Sequence, residues 1–319
     1  MNDSVSILGA GAFGTALALS LARSGKPVTL WARDIRSMAT ERENAARLPG
    51  FPFPQSLHVT ESIQSATESD ILLLAVPMQS LSGFVRENRT LLAGKTLVTC
   101  CKGVDLGSGE DAVTIVRNAC PSAQIAVLSG PGFAVDIARG LPTALTLASE
   151  NATSLQAILS TETLRLYHSN DLTGVALGGA LKNIVAIACG LVIGAGLGES
   201  ARAALLTRGF VEMNRFAQNR GALPETLSGL SGLGDLVLTA TSKKSRNYAF
   251  GLALGKGGGA SASQNITIEG MATAKAVSNL AKTAGLDMPV TDMVVAVLSG
   301  DLTIDQARDQ LFSRPLKEE

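Results

Sequence analysis

Lys182 stands in the segment GGALKN, at the start of an apolar stretch and flanked by small residues. A lysine so placed has no easy route to water, and desolvation lowers its pKa from about 10.4 towards neutrality, where an amine can take up and return a proton. Bringing it into the working range of a general base takes roughly 3 to 4 kcal/mol of differential interaction. The structural alternative is an ion pair between domains. Asp235 lies in GLGDL, where Gly232 and Gly234 free the backbone ahead of a helical run. Alone it suits a helix cap; beside Lys182 it would orient the ammonium and shape its titration. Further on, Ser245, Arg246 and Asn247 form SRN directly after Lys243 and Lys244. Such a run of donors suits a phosphate monoester, with Arg246 offering two parallel bonds, or else is a solvated basic turn. The two histidines, His58 near a proline-rich loop and His168 in YHSND, lie at no glycine-rich turn and in no acid–base pair, and read as structural or surface residues.

A second kind of chemistry is written near the N-terminus. In GAGAFG, Gly9 permits a tight turn, Gly11 lets the backbone approach a pyrophosphate, and Gly14 lets the next helix sit close to the sheet. A strand precedes the motif and a helix follows it, the context that makes it a dinucleotide site, with the helix N-terminus supplying amide donors to the phosphates. At the end of the second strand, where NAD-selective sites usually carry an acid, VTLWARD places Ala32 with Arg33 beside it and Arg36 a turn further on. A guanidinium there pairs with a 2′-phosphate, so NADP is expected to be accepted, unless Arg33 is taken up by Asp34 or another nearby acid.

Elements able to hold these groups are visible as a repeated pattern. Short aliphatic or β-branched runs at Val5 to Leu8, Val28 to Trp31, Ile71 to Val76, Thr96 to Cys101, Ile125 to Leu128, Ala144 to Leu147 and Leu164 to Tyr167 alternate with segments of helical period. Runs so short and so continuously apolar suit strands covered on both faces. The expected fold is α/β: an N-terminal Rossmann-like, doubly wound, mostly parallel sheet over residues 1–178, followed by an all-helical C-terminal domain over residues 179–319. Helix stops are expected at Gly221, Gly255, Gly285 and Pro289. The segment GKGGGASAS reads as a flexible loop, since it lacks the G-K-[ST] ending and preceding strand of a phosphate loop, and RPLKEE as a frayed tail.

Composition narrows the partners. The 319 residues carry 27 Lys and Arg against 27 Asp and Glu, and 46% of them are hydrophobic. A chain of this length has room for two domains, and balanced charge supplies no basic field for nucleic acid or an anionic membrane. Mean hydropathy is +0.26, yet the uncharged run Asn183 to Gly198 is too short and glycine-rich for a membrane span and reads as a buried helix and loop. No signal peptide is expected from MNDSVSILGAG, and a cytoplasmic location follows. Cys100, Cys101, Cys120 and Cys189 show neither a paired framework nor metal spacing and read as reduced thiols; no metal site is expected.

Taken together, the motifs resemble the bacterial NAD(P)-dependent glycerol-3-phosphate dehydrogenases. The likeness runs from about Val5 to about Val297 through GAGAFGTAL, LWARD, AVP, KGV, SGPGFA, GLPTAL, GGALKN, RAALLTRG, SGLGDLVLT, SRN and IEG. It implies reversible reduction of dihydroxyacetone phosphate to sn-glycerol 3-phosphate with NADH or NADPH, feeding phospholipid synthesis. By the same resemblance Lys182 accepts the proton in alcohol oxidation and, protonated, donates it to the carbonyl oxygen in reduction. Lys102 matches a lysine that touches both cofactor and substrate and polarises the carbonyl as oxyanion character develops. Gly130, Asp235, Ser245, Arg246 and Asn247 match substrate contacts, with Arg246 and Asn247 on the phosphate and Arg246 also reaching the cofactor. Phe13, Arg33, Ala134 and Glu269 match cofactor contacts, Glu269 at the amide or ribose end.

Three positions depart from the family pattern. Gly132 replaces a frequent Ser or Thr, Ser200 a frequent Asn, and Ala12, in the cofactor turn, a polar residue worth about one hydrogen bond, 0.5 to 1.5 kcal/mol. Two rival readings are distinguishable. A related dehydrogenase of a 3-hydroxy acid or of 6-phosphogluconate shares the Rossmann half but not the combination of GGALKN, GLGDL and SRN. A non-catalytic NADPH sensor needs neither Lys182 nor Asp235. The many apolar helical positions of the second half would suit a homodimer.

Overall fold

The computed structural model describes residues 4–150, 152–258 and 268–312; most of GKGGGASAS, and RPLKEE, lie outside them. The expected alternation is present. β1 (Val5–Leu8), α1 (Ala12–Arg23), β2 (Val28–Trp31), α2 (Arg36–Glu41), β3 (Leu57–Thr60) and α3 (Ile63–Ala66) form the first unit. β4 (Ile71–Leu74), α4 (Met78–Glu87), α5 (Arg89–Leu92), β5 (Thr96–Thr99), α6 (Ala112–Ala119) and β6 (Gln124–Ser129) form the second. α7 (Ala134–Ala138), β7 (Thr143–Ser149), α8 (Ala152–Leu159) and β8 (Leu164–Ser169) complete the sheet. Its order is β3-β2-β1-β4-β5-β6-β7-β8. Neighbours run parallel except β6 and β7, which are antiparallel. VSIL of β1 and ILLL of β4 are buried throughout, as strands under helices on both faces must be.

Two details differ from the sequence reading. LHVT is a strand, β3, and His58 sits in it opposite Thr29 of β2. It is an edge strand, only its leucine fully buried, so its apolar signal is weak. Pro289 begins a helix instead of stopping one: it occupies the first turn of α15, where its missing N–H costs nothing. The remaining N–H groups of that turn are satisfied from another helix. The Glu212 carboxylate accepts from Val290 N at 2.5 Å, Thr291 N at 3.0 Å and Thr291 Oγ1 at 3.0 Å, and burial pushes its pKa up to about 7.

The second half comprises α9 (Leu172–Gly194), α10 (Glu199–Asn219), α11 (Pro224–Leu227), a π-helical turn (Leu230–Gly234), α12 (Asp235–Ala240), α13 (Arg246–Gly255), α14 (Glu269–Thr283), α15 (Pro289–Ser299) and α16 (Ile304–Phe312). α9 is long and apolar enough to cross a membrane, but 94% of its most apolar window is buried by the protein itself, so it is the central core helix. Glycines let α13 press against it: a Cβ at Gly190 would lie 2.2 Å from Tyr248 O, and one at Gly251 would lie 2.1 Å from Ile187 O. That crossing fixes the start of α13, where SRN sits, relative to Lys182 on α9.

The turn after β1 occupies the point where strand order reverses, between β1 and β4, which is where ligands of such sheets bind. Gly9 has φ +124°, and a Cβ there would lie 2.7 Å from Ala75 C and O at the end of β4. Gly9→Ala is therefore expected to lose at least about 2 kcal/mol of stability, from backbone strain and overpacking together. A thermal unfolding midpoint equal to that of the wild type would contradict this reading of the turn.

Candidate active site

Three strongly polar side chains meet where the sheet and the helical half come together. Lys102 follows β5, Lys182 lies within α9, and Asp235 opens α12 directly after the π-helical turn, a distortion that often marks functional sites. Lys182 Nζ donates to Asp235 Oδ1 at 2.7 Å and to Thr239 Oγ1 at 2.7 Å. Lys102 Nζ donates to Asp235 Oδ2 at 2.7 Å and to Gly130 O at 3.2 Å. Thr239, one turn after Asp235, donates its hydroxyl hydrogen bond to Asp235 Oδ1 at 3.1 Å. One carboxylate thus holds two ammonium groups that come from opposite halves of the chain.

The electrostatics follow from burial. Lys182 is 6% exposed, and desolvation brings its pKa down to about 8 against the attraction of Asp235, with the Lys102 charge pulling the same way as burial. Asp235, 2% exposed, would be raised by burial, but the charges and hydrogen bonds of Lys102 and Lys182 outweigh that and hold it below the ordinary carboxylate range. The result is a carboxylate that stays ionised beside an amine that changes protonation near neutral pH. Of the three N–H positions of the Lys182 ammonium, two are used inside the protein, leaving one for a substrate oxygen.

The flanking residues are brought to the same crevice in different ways. Phe13 of α1 lies beside Lys102, whose Nζ is 5.6 Å from the ring centroid. Ala134 opens α7, directly beyond the Gly130 turn. Glu269, the first residue of α14, has its pKa raised by burial, against the pull of the Arg246, Lys102 and Lys182 charges. Ser245 caps α13 by accepting from Tyr248 N at 3.2 Å, and Arg246, the first residue of that helix, is exposed. The Asn247 side chain is occupied otherwise than a phosphate contact would require. It donates to Asn183 Oδ1 at 2.9 Å and accepts from Gly270 N at 3.1 Å, tying α9, α13 and α14 together.

The residues about the glycine turn fit a dinucleotide. Gly11 is the N-cap of α1 and has no side-chain cap, and a Cβ built on it would meet nothing within 4 Å. With Ala12 next and Gly14 so close to the turn that a Cβ on it would lie 2.2 Å from Gly9 O, the first amides of α1 are open to a pyrophosphate. Arg33 is exposed at the end of β2. Asp34 does not take it up; its partner is Arg36, whose Nη2 lies 2.6 Å from Asp34 Oδ2 and which holds the Asp34 pKa down to about 2. Arg36 thus pairs with Asp34 at the surface, while Arg33 has no ion-pair partner among the described residues. At Gly132 a Cβ would come within 3.1 Å of Ile137 Cδ1 and 3.3 Å of Leu145 Cδ2, so local packing accounts for the departure from Ser or Thr. Ser200 is an exposed residue in the first turn of α10, and nothing in the structure explains its departure.

Sequence reasoning did not find Thr239 or Asn183. Thr239 is four residues after Asp235 on α12 and so on the same helix face, a spacing that offers a signal once Asp235 is chosen. Asn183 sits beside Lys182 with no distinguishing pattern. Ser129 and Ser231 also went unnoticed; both hydroxyls are buried without a partner among the described residues. They bracket the glycine pair ahead of Lys182. A Cβ at Gly179 would lie 2.4 Å from Ser129 Oγ, and one at Gly178 would lie 2.8 Å from Ser231 O.

A Rossmann domain offering a bare helix N-terminus, closed by a helical domain that brings a near-neutral lysine to the same crevice, is built for hydride exchange with a small substrate. Its class is that of the nicotinamide-dependent dehydrogenases. Residues 4–155 match the family described as NAD-dependent glycerol-3-phosphate dehydrogenase N-terminus, and residues 171–309 match the corresponding C-terminus. The glycerol-3-phosphate dehydrogenase (NAD(P)+) of Ruegeria sp. (strain TM1040) is 56% identical over 325 residues, covering 99% of this chain and 100% of that protein. A crystal structure of glycerol-3-phosphate dehydrogenase from Coxiella burnetii is 38% identical, with a TM-score of 0.94 over 98% of this chain and 99% of that one. A ketopantoate reductase from Ralstonia eutropha, 15% identical with a TM-score of 0.61, shares the fold alone. The chain belongs to the NAD-dependent glycerol-3-phosphate dehydrogenase family.

Proposed function

We propose that this protein interconverts dihydroxyacetone phosphate and sn-glycerol 3-phosphate with NADH or NADPH, and that Lys182 is the group that exchanges a proton with the substrate oxygen. The observation that carries the assignment is the position of Lys182: buried, held by Asp235 and Thr239, and brought to a pKa of about 8. When bound, the nicotinamide supplies or accepts the hydride at the substrate carbon. In reduction the Lys182 ammonium gives its third proton to the carbonyl oxygen. In oxidation the neutral amine removes the hydroxyl proton. Lys102, fixed by Asp235 and Gly130 O, places a second positive charge where the oxygen becomes negative.

The start of α13 suits the substrate phosphate. Ser245, Arg246 and the backbone amide of Asn247 combine a helix N-terminus with a guanidinium, a few residues after the helix α12 that Asp235 opens. Asn247's side chain serves there by holding the helix in place. Gly9, Gly11, Ala12, Phe13, Gly14, Ala134 and Glu269 surround the cofactor in this reading, with Arg33 at a 2′-phosphate. The division of labour runs through α9: residues 1–178 hold the dinucleotide, and residues 179–319 carry the base and the phosphate seat. A cytoplasmic homodimer feeding phospholipid synthesis completes the proposal.

The test is oxidation of NADPH and NADH by dihydroxyacetone phosphate, compared with unphosphorylated dihydroxyacetone, and reduction of NADP+ and NAD+ by sn-glycerol 3-phosphate, compared with 6-phosphogluconate. Turnover of dihydroxyacetone phosphate and sn-glycerol 3-phosphate alone is the expected result; turnover of 6-phosphogluconate, or binding of NADPH without turnover, would overturn the assignment. Arg33→Ser in the same assay is expected to raise KM for NADPH about 10- to 100-fold, the loss of one charge-assisted bond, and to leave KM for NADH nearly unchanged. An equal change with both cofactors would remove Arg33 from the 2′-phosphate.

A further inference from the structure

A second ionic contact crosses between the two halves of the chain. Lys244 Nζ reaches Asp136 of α7, at 2.9 Å from Oδ1 and 3.3 Å from Oδ2, and lies 5.8 Å from the centroid of the Phe133 ring. The lysine side chain is 55% exposed and the aspartate 25%, so the pair lies at the rim of the crevice, partly screened. What distinguishes it from an ordinary surface pair is where its ends are attached. Lys244 immediately precedes Ser245, the cap of α13, and the phosphate-seat residues. Asp136 and Phe133 belong to α7 and its N-cap, which follow Gly130, the carbonyl that holds Lys102.

We infer that Lys244 and Asp136 form a latch that positions the phosphate seat of the helical half against the cofactor half. It rests on the placement of the substrate phosphate at Ser245 to Asn247 given above. The lysine has two independent holds on α7, the carboxylate and the ring face, so the contact resists lateral sliding as well as separation. Phe133 is the N-cap of α7 and Ala134 its first residue, so a cofactor seated against Ala134 steadies the same helix that anchors Lys244. The latch acts chiefly on the triose phosphate, whose seat it holds, and its reciprocal effect on the dinucleotide's affinity through α7 is small. Lys244 and Asp136 are positioning residues: neither belongs to the Lys182, Asp235 and Lys102 cluster.

The experiment is a charge-exchange cycle with Lys244→Glu, Asp136→Lys and the double variant. KM and kcat for dihydroxyacetone phosphate are measured at saturating NADPH, NADPH affinity by its fluorescence, and stability by thermal unfolding without substrate. Each single variant is expected to raise KM for the triose phosphate about 3- to 10-fold, with kcat and NADPH affinity within twofold of the wild type. The double variant is expected to return KM to within twofold of the wild type. It is also expected to unfold at a higher temperature than the two single effects added together predict. Additive effects in the double variant would show Lys244 acting only as a charge near the phosphate and would overturn the latch, as would single variants with unchanged KM. The unfolding cycle reads the pair without substrate, so a wild type inactive on dihydroxyacetone phosphate counts against the proposed reaction, while loss of coupling counts against the latch.

Discussion

Lys182→Met is expected to lower kcat for dihydroxyacetone phosphate reduction by about 100- to 10,000-fold while NADPH affinity and folding are retained. The loss is the share of rate that a positioned acid supplies. Stability should move the other way or not at all. Burial brings the Lys182 pKa below its ordinary value, which means that the folded protein carries its charge at a cost, and a methionine of similar length fills the space without that cost. Asp235 keeps Lys102 and Thr239 as partners, so no charge is stranded. The unfolding midpoint of Lys182→Met should equal or exceed that of the wild type. Activity within tenfold of the wild type would remove Lys182 from proton transfer.

Asp235→Asn reverses that pattern and should cost both activity and stability. It leaves two ammonium groups facing one neutral amide in a buried site, and removing one partner of a buried pair typically costs about 3 to 5 kcal/mol. Some of that cost is avoided by loss of a proton, because the restraint that Asp235 exerts on the Lys182 pKa disappears. In the variant a larger share of Lys182 is neutral at a given pH, so reduction, which needs the ammonium, is expected to suffer more than oxidation. Denaturant unfolding and the ratio of forward to reverse kcat check both parts. An unchanged midpoint together with an unchanged ratio would show that the carboxylate is not what balances the two lysines.

The contrast between the two substitutions also explains what sequence alone could convey. The continuous apolar strands VSIL and ILLL and the glycine turn after the first of them carry local signals strong enough to place the sheet and the cofactor site. LHVT does not, because an edge strand buries only part of one face and its pattern dissolves into the proline-rich segment before it. Lys182 was legible because a lysine among small apolar residues is costly wherever it ends up. Thr239 and Asn183 were not, because a threonine in a helix and an asparagine beside a lysine cost nothing until the tertiary structure gives them partners. Asn247 shows the limit of motif reading: SRN looks like three equivalent donors, yet helix packing turns one of them inward to Asn183 and Gly270. The π-helical turn before Asp235 had a trace in GLG, but only the wider backbone spiral shows why those glycines precede the carboxylate.

Lys182 is expected to change protonation near pH 8 and thereby to set the direction of proton transfer. The check is kcat/KM against pH, from 6.5 to 9.5, in both directions. Oxidation of sn-glycerol 3-phosphate needs the neutral amine, so its kcat/KM should rise with pH and level off above about 8. Reduction of dihydroxyacetone phosphate needs the ammonium, so its kcat/KM should be level below about 8 and fall above it. In Asp235→Asn both midpoints should move to lower pH, because the attraction that raises the lysine's pKa is gone. Opposed profiles with a common midpoint that moves in the variant are the predicted result; profiles flat across that range, or a midpoint indifferent to Asp235, would contradict the assignment of Lys182.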